Sequence, residues 1–189
     1  MTQKWMLLSY TLPAEPSSKR VLVWRHLRKL GAMLDAGVWL LPGSTNLEVE
    51  FRKALAEIEE LGGRPLAFYA EDLTGRQHDD LKTAFNQMRS EEYVELIHKC
   101  ERFLAHVQRW TESGEFGFEA IEELEEDLEK RRRSLAQITS RDVFEVTERG
   151  QAERSLKDCQ AALARFTEAA YTATNESPVS GGTKQAQYE

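Results

Sequence analysis

The sequence predicts an α+β fold, and three observations carry that prediction. Two apolar runs of strand length, Trp5–Leu8 and Val38–Leu41, bracket a stretch with helical spacing. A third run, Pro65–Ala70, follows a second helical segment that closes at Gly62-Gly63. From Arg76 onward the apolar residues recur only at helical intervals. Strands early and helices late segregate the two kinds of element along the chain.

Each element follows from its residues. Trp5–Leu8 reads as the first strand, and the Pro-bounded stretch Leu12–Pro16 as a turn. Ser17–Asp35 is predicted to be a helix, with Val21, Trp24, Leu27 and Leu30/Leu34 as an apolar stripe facing the sheet. Val38–Leu41 is the second strand. Leu47–Leu61 is a helix, because Leu47, Phe51, Leu55, Ile58 and Leu61 share one face, and the glycine pair ends it. Pro65–Ala70 is the third strand. Strand–helix–strand–helix–strand in this length predicts a ferredoxin-like unit over residues 1–75, with two helices on one face of a small antiparallel sheet. A parallel doubly wound sheet is the competing topology, and the strands are too few to favour it.

Residues 76–174 are predicted to form an α-helical bundle. A short bridging helix surrounds Leu81, Phe85 and Met88. Three longer ones follow: Glu91–Thr111, Phe118–Thr139 and Gln151–Ala173. The middle one carries acids at its start and bases at its end, which suits the helix dipole, with Glu126–Lys130 and Glu129–Arg133 as i,i+4 pairs. It reads as a solvated, self-paired helix. The polar tail, 175–189, is expected to be disordered.

Charge narrows the function. The chain carries 25 Lys/Arg and 32 Asp/Glu, net −7, but residues 1–70 are net +2 and the remainder −9. Contacts with nucleic acid or an oxyanion therefore belong to the first part. Cys100 and Cys159 are two isolated thiols, which fit a reducing cytoplasm. No apolar stretch approaches the roughly 18–20 residues that span a bilayer, and the N-terminus lacks a secretory pattern. A cytoplasmic protein away from the membrane is expected.

Little in the chain supports catalysis. The histidines His26, His78, His98 and His106 lack metal-ligand spacing, and no GxSxG, GxGxxG or P-loop occurs. No enzyme activity, metal or cofactor is expected. The predicted helix after the first strand instead carries Lys19, Arg20, Arg25, His26, Arg28 and Lys29, with no acid before Asp35. Ser17 or Ser18 can cap it. Lys19 and Arg20 then lie beside the free N–H groups of the first turn, which suits an oxyanion. Arg25, Arg28 and Lys29 cluster within one turn and suit phosphate. The candidate DNA- or oxyanion-binding residues are thus Ser18, Lys19, Arg20, Arg25, Arg28 and Lys29.

The same residues carry a resemblance. WMLLSYTLPAEPSSKRVLVWRHLRKLGA followed by GVWLLP resembles the N-terminal domain of ChrB, the chromate-resistance regulatory protein. The likeness continues through EIEELGG, EEYVELIHKCERFL and SRDVF, covering roughly residues 4–172. The opening is also distantly similar to the central domain of PaaX-type repressors and to the small ferredoxin-like subunit of CRISPR adaptation. The ChrB resemblance implies a chromate-responsive, DNA-binding transcriptional regulator of chromate efflux, with chromate as a possible ligand. ChrB proteins typically add a C-terminal domain, whereas this sequence closes on a polar tail, so the function of that domain is expected to be absent or supplied by another chain. Nuclease-active relatives of the CRISPR subunit place an Asp after the Tyr closing the first strand. Here Thr11 follows Tyr10, so no nuclease activity is expected. The alternative is a non-enzymatic interaction module, in which the sheet makes a homodimer and the bundle docks a partner protein. An oxyanion-reducing enzyme ranks last, for want of an electron-transfer motif.

Overall fold

The computed structural model describes residues 4–176. In order the elements are β1 (Trp5–Thr11), α1 (Ser18–Lys29), β2 (Met33–Asp35), β3 (Val38–Pro42), α2 (Thr45–Glu60), β4 (Arg64–Ala70), α3 (Gln77–Ser113), α4 (Phe118–Thr139) and α5 (Glu148–Glu176). The α+β class holds: a four-stranded antiparallel sheet with two helices comes first, and three helices follow. Strand order is β2-β3-β1-β4, every neighbouring pair antiparallel. That is the split βαβ arrangement of a ferredoxin-like unit. No helix among the described residues is long and apolar enough to cross a membrane.

The chain divides into two compact units. Residues up to 93, together with Ala136–Arg149, form the first, and Val94–Leu135 with the chain from Gly150 form the second. In the first unit Met6 and Leu8 of β1, Val23 and Leu27 of α1, and Phe51, Ala54 and Ile58 of α2 make one buried cluster. Each Val or Leu buried in this way stabilises by roughly 1.5–3 kcal/mol. Trp5 closes one end, edge-on to Phe85 and tilted against Phe144. In the second unit Leu96, Cys100, Phe103, Leu124, Leu156 and Phe166 are buried. The two thiols, far apart in sequence, meet there: Cys159 Sγ donates to the Cys100 carbonyl at 3.6 Å.

Several expectations change. The first helix stops at Lys29 rather than Asp35. Gly31 adopts φ +77°, Ala32 N–H reaches back to the Leu27 carbonyl (3.0 Å) and Gly31 N–H to that of Arg28 (3.0 Å). This is a Schellman stop, and glycine permits it. A fourth strand, β2, then pairs Asp35 with Val38 across a two-residue turn in which Ala36 and Gly37 both have positive φ. Leu34 therefore lies on a strand, half-exposed, not on a helical stripe. The stripe itself is rotated: Val23, Leu27 and Leu30 are buried, whereas Val21 and Trp24 are nearly half exposed.

Further along, the bridging helix and Glu91–Thr111 are one 37-residue helix, α3, because no glycine or proline separates them. Helix α4 has the expected bounds. Glu126–Lys130 pairs as expected (3.7 Å), but Glu129 pairs with Arg132 (3.8 Å) instead of Arg133. Helix α5 extends to Glu176, and the rest of the expected tail, 177–189, lies outside the described residues.

Candidate nucleic-acid interface

Helix α1 brings the six sequence-predicted residues onto one element but gives them different roles. Its start offers less to an anion than expected. Ser17 is the N-cap but its side chain caps nothing, and the Lys19 and Arg20 N–H groups already donate to the Pro16 (3.2 Å) and Ser17 (3.1 Å) carbonyls. Lys19 Nζ donates to the Leu61 carbonyl at the end of α2 (3.0 Å), and Arg20 donates to the Ala14 carbonyl (2.6 Å). These two cations brace the first turn of α1 against neighbouring chain. Ser18 is exposed.

Arg25, Arg28 and Lys29 differ. All three are exposed, and none forms an ion pair with a carboxylate among the described residues. The Arg28 guanidinium lies over the Trp24 ring, 5.8 Å from its centroid. With α1 rotated outward at Trp24, the exposed face reads Val21, Trp24, Arg25, Arg28, an aromatic interleaved with cations. Such a face suits a polyanion that also presents flat or apolar groups.

The adjoining face of α1 borders a groove of ≈ 850 Å³, shared with α2 and the segment around Gln137–Arg141. Arg25, His26 and Lys29 line one wall, and Leu22, Leu47 and Val49 supply apolar surface. The groove also holds two acids, each already engaged. Glu57 pairs with His26, and Glu50 with Lys53 (2.6 Å). That Lys53 contact holds the Glu50 carboxyl below its ordinary pKa. Lys29 adds to the lowering of Glu50, but neither it nor Arg25 forms an ion pair there among the described residues.

The placement of these cations depends on a residue the sequence reading missed. Arg141, of the SRDVF stretch, is buried. Its Nη1 donates to the Lys29 carbonyl (2.9 Å), its Nη2 to Glu92 Oε2 (2.9 Å) and its Nε to the Gln137 carbonyl (3.1 Å). A guanidinium at the C-terminus of α1 satisfies an otherwise orphaned carbonyl and opposes the negative end of the helix dipole. Its neighbour Asp142 accepts from Tyr93 Oη (3.2 Å) and from Val146 N–H (3.3 Å). The fully buried Arg89 lies beneath Gly31, over the Phe85 ring and 3.2 Å from the Glu92 carboxylate. Burial pulls the pKa of both arginines down, and Glu92 opposes that for each. SRDVF thus works as a clamp on the end of α1. Its buried charged pair was the available signal, but the partners lie as far as 112 positions away.

Among the described residues no group of three or more His, Cys, Asp or Glu side chains could hold a metal ion. The fold is thus a split-βαβ unit whose first helix exposes an aromatic residue among cations, followed by three helices. The chain matches the family described as Protein ChrB, N-terminal, over residues 20–177, and it belongs to that family. Membership ties it, at the level of the family, to the regulation of chromate resistance. No curated protein and no solved structure matches the chain. The similarity to PaaX-type repressors therefore stays a resemblance of the opening motif.

Proposed function

We propose that this chain is a DNA-contacting, non-enzymatic regulator of chromate resistance, acting in the cytoplasm. Arg25, Arg28 and Lys29 contact phosphates, and Trp24 adds stacking or apolar contact beside them. The observation that carries this reading is that none of those three exposed cations forms an ion pair with a carboxylate among the described residues, in a chain that is acidic overall. Phosphate contacts of this kind give register and affinity, with little base discrimination. Lys19 and Arg20 support the helix instead of meeting the ligand, which departs from the role expected of them. Chromate, a tetrahedral dianion, is assigned to the groove beside Arg25 and Lys29 more readily than to the start of α1, where the N–H groups are occupied.

The experiment is fluorescence anisotropy with a duplex from the promoter of a neighbouring chromate-efflux operon. Arg25→Ala with Arg28→Ala should weaken binding by tenfold or more, and Lys19→Ala should act mainly on stability. Unchanged affinity in the double variant removes the phosphate role. Chromate should compete with or release the duplex where sulfate at the same concentration does not. Equal effects of the two would make the response one of charge alone.

A second reading has its own support. Val21, Leu22 and Trp24 are each nearly half exposed, so the same face suits an acidic protein partner with an apolar stripe. Retention of a stable protein complex, with no retention of DNA at physiological salt, favours it.

A further inference from the structure

The sheet has an open edge. β4 pairs with β1 along its whole length, Trp5 opposite Ala70 through Thr11 opposite Arg64, and its other side meets no strand among the described residues. Its side chains are unusually bare for apolar groups: Leu66 is 57% exposed and Phe68 58%. Natural edges are blunted by prolines, charges or bulges. Here Pro65 and Arg64 lie at one end, and the centre, Leu66 to Tyr69, carries no such device.

We propose that β4 is a dimerisation edge: two copies of this chain join their β4 strands antiparallel about a twofold axis at Ala67, making one eight-stranded sheet. The strand is self-complementary in that register. All seven residues find a mate, with Leu66 opposite Phe68 of the second copy and Phe68 opposite its Leu66. Four exposed apolar side chains are covered together, as cross-strand pairs of the kind that stabilise sheets. Charge points the same way. Arg64 is exposed and has no ion pair among the described residues, whereas the other end of the strand runs into Glu71 and Asp72. The Asp72 carboxylate accepts hydrogen bonds from Thr74 N–H of its own loop and from His78 N–H at the start of α3, which favour its charged form. In the antiparallel register Arg64 falls opposite Ala70 of the second copy, next to the acidic pair Glu71-Asp72 that follows it in the chain. A parallel register would set arginine against arginine. Pro65 removes one ladder N–H at each end and leaves the centre intact. The contact is isologous, so it closes at two copies. It stands on the sheet alone and is independent of what α1 binds.

Sedimentation equilibrium of the full 189-residue chain tests this, with the expected mass twice 21.7 kDa. Leu66→Lys and Phe68→Glu should each weaken association tenfold or more while leaving the far-UV spectrum unchanged, since both side chains are exposed. Combining the two substitutions sets the introduced lysine of one copy opposite the introduced glutamate of the other, and should recover the dimer. Ala67→Cys should give a covalent dimer on mild oxidation, because directly opposed Cα atoms are about 4.5–5.5 Å apart, within disulfide range. Arg64→Cys should not, its counterpart being about 20 Å away by strand geometry. A chain that stays monomeric at high micromolar concentration overturns the proposal. So does a dimer that survives Phe68→Glu, or one that crosslinks in the Arg64→Cys variant and not in the Ala67→Cys variant. If Ala67→Cys fails to fold, the charge-swap series decides alone.

Discussion

Arg141 and Arg89 share one carboxylate, Glu92, yet they do different work. Arg141 makes three directed hydrogen bonds, one of them to the last carbonyl of α1. The three side-chain nitrogens of Arg89 have no aligned acceptor among the described residues, only the ion contact to Glu92. Breaking a well-bonded buried pair is expensive, whereas replacing a poorly bonded buried charge by an apolar group of like volume is often neutral or better. Arg141→Met is expected to cost roughly 3 kcal/mol, and Arg89→Met to change stability by less than about 1 kcal/mol or to raise it. Urea unfolding of the two variants checks the contrast, and equal losses would contradict it. Gly31 belongs to the same cluster. A Cβ there would lie 2.5 Å from Arg89 Nη1, on backbone at φ +77°. Gly31→Ala should therefore destabilise by at least about 1–3 kcal/mol, the cost of left-handed strain alone. The glycine was visible in the sequence, but the arginine beneath it was not.

The hairpin between β2 and β3 shows where reading the sequence fell short at the scale of elements. Leu30 and Leu34 continue a helical spacing, so the apolar pattern ran on past the true end of α1. The stop lies in backbone chemistry, in Gly31 and in the positive-φ pair Ala36-Gly37, which a count of apolar positions does not register. Alanine at φ +46° is strained, and asparagine adopts that conformation more readily. Ala36→Asn should raise stability by about 0.5–1 kcal/mol, seen as a melting temperature higher by a few degrees. By contrast, α4 and α2 were legible, because Phe118–Thr139 and the Leu47–Phe51–Ile58 stripe sit between clear breakers. The start of α3 carries a pH dependence. Asp72 accepts from His78 N–H (2.9 Å) and Thr74 N–H (2.8 Å), which lowers its pKa from 3.8 to about 2. The depressed folded-state value means the carboxylate stabilises the fold above its unfolded pKa, and that contribution fades as pH falls from 3.8 towards 2. Asp72→Ala should therefore lower the melting temperature at neutral pH and flatten its decline below pH 4. An equally steep acid decline in the variant would remove Asp72 from that role.

At the scale of the whole molecule, an acidic chain keeps one helix without acids, and three of its cations, Arg25, Arg28 and Lys29, have neither an ion pair nor a side-chain hydrogen bond among the described residues. Their clustering at Arg25, Arg28 and Lys29 was legible, because helical spacing alone puts them within a turn. That Lys19 and Arg20 are spent on carbonyls, and that Trp24 faces outward, was not, because the phase of α1 is set by the sheet it packs against. Family membership supplies the link to chromate resistance, and the cationic face is the surface proposed to meet DNA. The most direct measurement of that contact is the salt dependence of duplex DNA affinity. Each phosphate neutralised contributes about 0.9 to the slope of log affinity against log salt. Replacing Arg25, Arg28 and Lys29 together by alanine should reduce that slope by roughly 2–3. A slope unchanged by the triple substitution, in a protein that still folds, would contradict the account.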